Sequence, residues 1–128
     1  MQPYFLRIEE VLRIHEDQIE QFGGSPGLRD PGLLASAVDT PRATFDGQVL
    51  HEGLFEMAAA YLFHIIQNHP FVDGNKRTGT AAALVFLDLN GIEIGVDDNE
   101  LVDHVLAVAQ GQIDKPNIAV FLKRHAVS

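Results

Sequence analysis

Two segments, Leu54 to Asn68 and about Asn75 to Leu89, most constrain what this chain can fold into. Both carry helical spacing, and both are apolar on nearly every side. The first holds Phe55, Met57, Ala58, Tyr61, Leu62, Ile65 and Ile66. A helix that is apolar all round belongs at the centre of a fold, wrapped by other elements. The stretch from Asn68 to Gly74 interrupts the two, with Pro70 and Gly74 as breakers. A pair of central helices joined by one short loop is therefore the frame on which the rest must be hung.

The remaining segments have one-sided patterns that suit such a shell. Ile8, Val11, Leu12, His15, Ile19 and Phe22 follow i, i+3, i+4, i+7 spacing and predict a first helix, closed by Gly23-Gly24. Asp30-Pro31 has the form of an N-cap followed by proline at the first helical position. The helix it opens carries Leu33, Leu34, Ala37 and Val38 and stops before Pro41. Arg42 to His51 is irregular, with Thr44, Asp46 and Gly47 as turn formers between Phe45, Val49 and Leu50, and is expected to be a surface flap in which a short hairpin fits. Asn90-Gly91 closes the second central helix, and Ile92 to Val96 alternates as a short extended piece would. Asp97 with Glu100 resembles a capping box ahead of Leu101, Val102, Val105, Leu106 and Ala109. Pro116 opens a last helix with Ile118, Phe121 and Leu122. The expected fold is all-α: a bundle of about six helices with two buried central ones and a short flap, a single domain over residues 1–128.

Composition narrows the function classes. The 46% hydrophobic content belongs to a globular chain. With no cysteine there is neither a disulfide staple nor a thiolate metal site, which fits a reducing, cytoplasmic setting. Residues 1–18 mix apolar and charged side chains, unlike a signal peptide, and no apolar run is long enough to span a bilayer. The net charge of −9 repels phosphate backbones, and the basic residues form no run, so direct nucleic-acid binding is not expected.

The chemistry concentrates between the central helices, in His69-Pro70-Phe71-Val72-Asp73-Gly74-Asn75-Lys76-Arg77-Thr78-Gly79. Gly74-Asn75-Lys76 begins a helix, whose first N–H groups are unpaired and, with the helix dipole, attract an anion. Gly74 lets a phosphate approach without a Cβ in the way. Lys76 and Arg77 place positive charge at a helix end whose dipole opposes it, an arrangement that makes sense with an anion present. Asp73 is placed to hold Mg²⁺ against that anion, Asn75 can donate to a phosphate oxygen, and His69 suits a general base near neutral pH. The same residues also have a purely structural reading: a helix-breaking corner with Phe71 as a core plug, Asp73 as an N-cap, and Lys76 and Arg77 as solvated surface. Spacing alone leaves both open. His64, five residues before His69, reads as a core or flank histidine. His51-Glu52 lacks the second histidine of H-E-x-x-H, and Asn75-Lys76-Arg77-Thr78 lacks the glycine and preceding strand of a P-loop.

The run His69-Pro70-Phe71-Val72-Asp73-Gly74-Asn75-Lys76-Arg77 resembles the Fic signature H-P-F-x-D/E-G-N-G-R-x-x-R. Lys76 in place of the glycine, the segment Gly27 to Val38, and the overall length are similar to the death-on-curing (Doc) branch of the Fic/Doc superfamily, so the resemblance covers essentially the whole chain. It implies the all-α Fic fold and use of ATP with Mg²⁺. Carried over by position, His69 would be the general base, Asp73 the metal ligand, and Gly74, Asn75 and Arg77 phosphate contacts, with Lys76 beside them and Phe71 as an anchor. The second signature arginine would fall at Thr80. That departure, with Lys76, implies transfer of the γ-phosphate of ATP to a hydroxyl of translation elongation factor Tu rather than AMP transfer. It makes the protein a toxin that arrests translation. No S/T-x-x-x-E-G/N inhibitory motif is present, so inhibition is expected in trans, from a Phd-like antitoxin. The alternatives are AMP transfer to a protein hydroxyl, and a non-catalytic Fic-fold binding module.

Overall fold

A computed structural model of the protein describes residues 2–127. It is an all-helical bundle with one small hairpin. In order it runs α1 (Ile8–Phe22), α2 (Pro31–Asp39), a 3₁₀ turn (Thr40–Arg42), strands β1 (Thr44–Phe45) and β2 (Gln48–Val49), α3 (Leu54–Asn68), α4 (Asn75–Leu89), α5 (Asp98–Ala109) and α6 (Lys115–Arg124). The expected pair of central helices is α3 and α4. Met57 through Leu62 are buried without a break, as an all-round apolar segment demands. α3 packs against α2, α4, α5 and α6.

Small residues set the α3–α4 spacing. A Cβ at Gly79 would stand 3.1 Å from the Leu62 carbonyl oxygen and 3.3 Å from Ile66, so α4 approaches α3 backbone to side chain at that point. Ala82 and Ala83 continue the buried face, and Phe86 fills the next level, 5.2 Å from the Tyr61 ring. Tyr61 is fully buried but keeps a partner: its hydroxyl accepts from the Leu6 N–H at 2.8 Å, pinning the N-terminal segment onto the core. Burial pushes the Tyr61 hydroxyl pKa up to about 12.

The caps explain most boundaries. Asp30 accepts from Leu33 N–H at 3.0 Å with Pro31 as the first helical residue, as the sequence suggests. Asp114 does the same for Asn117 at 3.1 Å, so α6 starts at Lys115, one residue ahead of Pro116. The Asp97–Glu100 pair forms only half of the expected capping box. Asp97 accepts from Asn99 and Glu100 N–H groups, but the Glu100 carboxylate turns to His125, 3.2 Å away. The expected apolar face of α5 is also only partly buried: Val105 is in the core, while Val102 and Leu106 are 55% and 42% exposed. The 92–96 piece is extended, with Ile94 bridged to Ala126.

The flap is a two-residue-per-strand antiparallel hairpin pairing Thr44 with Val49 and Phe45 with Gln48. Asp46 and Gly47 at its tip both have positive φ, the backbone that a tight hairpin turn needs. No helix among the described residues is long and apolar enough to cross a membrane.

Candidate active site

The loop between α3 and α4 is over-determined by hydrogen bonds from distant parts of the chain. α3 ends as His69 adopts a left-handed conformation, φ 53° and ψ 53°. That backbone costs a residue with a Cβ on the order of 1 kcal/mol, so the surroundings must hold it. Arg29 supplies the hold: its Nε donates to the His69 carbonyl at 2.6 Å and its Nη2 to the Asn68 carbonyl at 3.0 Å. The two carbonyls are C-terminal orphans of α3, and a guanidinium fork matches them in geometry and charge. Further along, the Pro70 carbonyl accepts from the Arg29 and Asp30 N–H groups, and Val72 N–H donates to Gly27. The segment Gly27 to Asp30 thus acts as a brace along the loop.

Inside the loop, Phe71 is the core plug, fully buried against the His15 ring at 3.8 Å and nearly parallel to it. The Asn75 side chain is buried and committed to Phe71. Its Oδ1 accepts from Phe71 N–H at 2.9 Å and its Nδ2 donates to the Phe71 carbonyl at 3.0 Å. What Asn75 presents to an anion here is therefore its backbone N–H, not its amide. Gly74 sits at φ 79°, where a Cβ would also press on Ile19 at 3.2 Å. Its N–H is occupied by Asp73 Oδ1 at 2.8 Å. The first backbone bond of α4 is Thr78 N–H to Gly74 O, which leaves the Asn75, Lys76 and Arg77 N–H groups without helical partners.

Asp73 is exposed, and its carboxylate is held by backbone donors. Oδ2 accepts from Ser25 N–H at 3.2 Å and Oδ1 from Gly74. These two bonds, and then the charges of Arg77 and Lys76, keep its pKa below the usual carboxylate value. Gly24 makes room for it, since a Cβ there would lie 2.7 Å from Asp73 Oδ2 at a φ of 115°. His15 holds the other end of the residue, with Nε2 2.8 Å from the Asp73 carbonyl oxygen. A carbonyl can only accept, so that nitrogen carries the proton.

A cavity of about 710 Å³ opens beside these groups between α1, α4 and α5. Its lining joins the polar stretch from Asp73 to Arg77 with apolar residues of α5, Leu101 and Val105 among them. Arg77 lays its guanidinium over the Phe22 ring, 4.8 Å from the centroid, along one wall. Thr80 also lines the cavity, but its hydroxyl bonds back to the Lys76 carbonyl and adds no charge. His69 is exposed and lies outside this lining. The structure thus gathers Asp73, Gly74, Asn75, Lys76 and Arg77 in the lining of one cavity and braces His69, outside that lining, through its backbone.

Four participants are absent from the sequence-based candidates: His15, Gly24, Ser25 and Arg29. Only His15 leaves a local trace, as a histidine within the apolar face of α1. Arg29 lies in the Gly27–Val38 segment already singled out for its resemblance. Gly24 and Ser25 carry no signal beyond that of a helix-ending loop.

Comparison with known proteins agrees with the fold. The profile of the Fic/DOC family matches residues 5–87, which take in α1 through most of α4. The chain is 35% identical over 116 residues to "Protein kinase doc" of Escherichia phage P1, covering 91% of this chain and 90% of that protein. It is 47% identical over 76 residues to "Toxin Doc" of Mycolicibacterium smegmatis, covering 59% of this chain and 58% of that one. With its two central helices, its braced His69–Gly74 loop and these matches across nearly its whole length, the chain belongs to the Fic/DOC family.

Proposed function

We propose that this protein is the toxin of a type II toxin–antitoxin module that transfers the γ-phosphate of ATP to a protein hydroxyl. The observation that carries the reading is the polar part of the lining of the 710 Å³ cavity. There three free backbone N–H groups and two cations meet beside an ionised carboxylate. That is a place for a polyphosphate, and the apolar α5 residues of the lining suit a flat base. Similarity to a phage protein named as a protein kinase supports phosphoryl transfer over other uses of such a site. Family resemblance supplies elongation factor Tu as the target, translation arrest in the cytoplasm as the outcome and a Phd-like antitoxin as the partner.

In this reading His69 takes the proton of the acceptor hydroxyl as its oxygen bonds to Pγ and the Pγ–O bond to ADP breaks. The Asn75, Lys76 and Arg77 N–H groups and the two cationic side chains hold the phosphate oxygens. Among the described residues no three His, Asp or Glu side chains converge as a protein-only metal cage. One exposed carboxylate, Asp73, instead suits Mg²⁺ shared with phosphate oxygens and water. Bound there, Mg²⁺ would neutralise phosphate charge. Thr80 brings no cation to the far phosphates, which favours γ-phosphate transfer over AMP transfer.

Two samples of ATP, labelled on the α- or the γ-phosphate, test the reading in a translation extract. Only γ-label is expected on elongation factor Tu. Label from the α position would establish AMP transfer instead. His69→Ala should lower the rate by about 10²–10⁴-fold. Full toxicity of that variant in cells would point to a non-catalytic binding module.

A further inference from the structure

A second group of titratable side chains lies outside the loop that carries the chemistry. Lys115, the first residue of α6, places its Nζ 2.9 Å from His64 Nε2 on α3. The same Nζ is 3.2 Å from Nε2 of His51, two residues beyond the flap's second strand. All three side chains are half-buried. An ammonium offers only donors, so both Nε2 atoms must accept and both imidazoles must be neutral. The electrostatics agree with that state. Burial, and then the charge of Lys115, pushes His51 below its ordinary value and His64 down to about 4.

The arrangement matters because the flap has little else to hold it. Both strands are exposed, with Phe45 69% and Val49 44% open to solvent. On the entry side the buried Pro41 of the 3₁₀ turn anchors it. On the exit side Leu50 N–H bonds only across the flap's own base, to the Ala43 carbonyl. The next residue is His51. Through Lys115 it is tied to His64 of α3, five residues before His69, the residue that caps that helix. One ammonium thus joins the flap exit, α6 and the helix that ends in His69.

We propose that Lys115 is a positioning residue: its ammonium, shared between His51 and His64, latches the flap to the His69-bearing helix, and protonation of His51 opens the latch. Other groups face His51 too. The Thr40 carbonyl and the Glu56 carboxylate favour its protonated form, but burial and Lys115 outweigh them, so the latch opens only on acidification below the ordinary histidine value. The neighbouring Asp114 carboxylate is occupied by Asn117. The consequence for catalysis, an acceptor protein held at a set distance from His69, rests on the proposed phosphoryl transfer. The latch itself does not.

Amide hydrogen exchange across residues 44–51, read at matched intrinsic rates, tests the latch without any substrate. At pH 7.5 Lys115→Met should speed exchange of these amides by about tenfold while the α3 core amides keep wild-type protection. Lys115→Arg, which still donates, should restore most of it. Wild-type flap protection should fall as the pH is lowered below the ordinary histidine value of 6.5. His51→Gln, which keeps a neutral acceptor, should hold its protection flat over that range. Unchanged flap exchange in Lys115→Met, acceleration in step with the α3 core, or a wild-type slope in His51→Gln would each overturn the latch. In the transfer assay, Lys115→Met should raise the KM for the acceptor protein several-fold and leave the KM for ATP alone. If the wild-type protein transfers no phosphate, the proposed function fails while the exchange data still judge the latch.

Discussion

Asn75 shows how one residue type can be right for two jobs and be used for one. A side-chain amide at a helix N-terminus can reach a phosphate, but here both of its polar atoms close on Phe71. Phe71 has no exposed surface, so its N–H and carbonyl cannot turn to water instead. Asn75→Ala should therefore cost about 1–3 kcal/mol in a denaturant melt, from backbone groups left unpaired. Asn75→Asp keeps the acceptor for Phe71 N–H but loses the donor and buries a carboxylate, so it should be no better. Loss of ATP binding in Asn75→Ala with no loss of stability would return the amide to phosphate contact. Asp73 is the counter-case: an exposed side chain whose role is set by its donors. Asp73→Ala should abolish the Mg²⁺ dependence of nucleotide binding, read by titration with and without the metal.

At the scale of elements, the site is a helix end facing a helix start. α3 stops with its last carbonyls bonded to Arg29, and α4 starts with Asn75, Lys76 and Arg77 in the lining of the cavity. The opposed ends put negative backbone charge at His69 and positive backbone charge at the proposed anion site. Arg29→Lys separates the two roles of the brace. A single ammonium cannot span both carbonyls with the fixed geometry of a guanidinium. Since Arg29 is exposed, the stability cost should stay within about 1 kcal/mol. The rate should nevertheless fall by about tenfold or more, because small displacements of a base are costly. Single-turnover transfer at saturating ATP measures it, and a wild-type rate would show that His69 is held without the brace.

For the whole molecule, the half-buried histidines set the response to mild acid. His64 is lowered to about 4, and His51 and His104 are lowered as well, in each case by burial first. The unfolded chain therefore takes up protons below about pH 6.5 that the folded chain refuses. The histidine contribution to stability should be level above pH 7, fall between about 6.5 and 4, and level off below. Asp73 works over a different range: its lowered value adds stability above its ordinary 3.8 and loses it only as pH drops through the lowered value. Melting temperatures from pH 7.5 to 4.5 should show the histidine slope, and His64→Gln should reduce it. A flat profile in the wild type would mean that these imidazoles reach water in the folded state.

Much of this molecule is written in short-range pattern. The two all-round apolar helices, the Asp30 cap, the tight flap turn and the His69–Gly79 motif all depend on residues within a few positions of one another. Period and cap chemistry act locally, so the sequence by itself determined the helices, their approximate ends and the place of the site. What it could not determine is which remote group meets which part of the loop. Ser25 reaches Asp73 across 48 positions, His15 across 58, and Arg29 reaches His69 across 40. The His51–Lys115 contact spans 64. Those meetings follow from how α1, α2 and α6 pack around the central pair, a global property of side-chain fit with no periodic trace. The sequence therefore specified that Asn75 stands at the start of α4, and only the packing of Phe71 beneath it decided that its amide closes the loop.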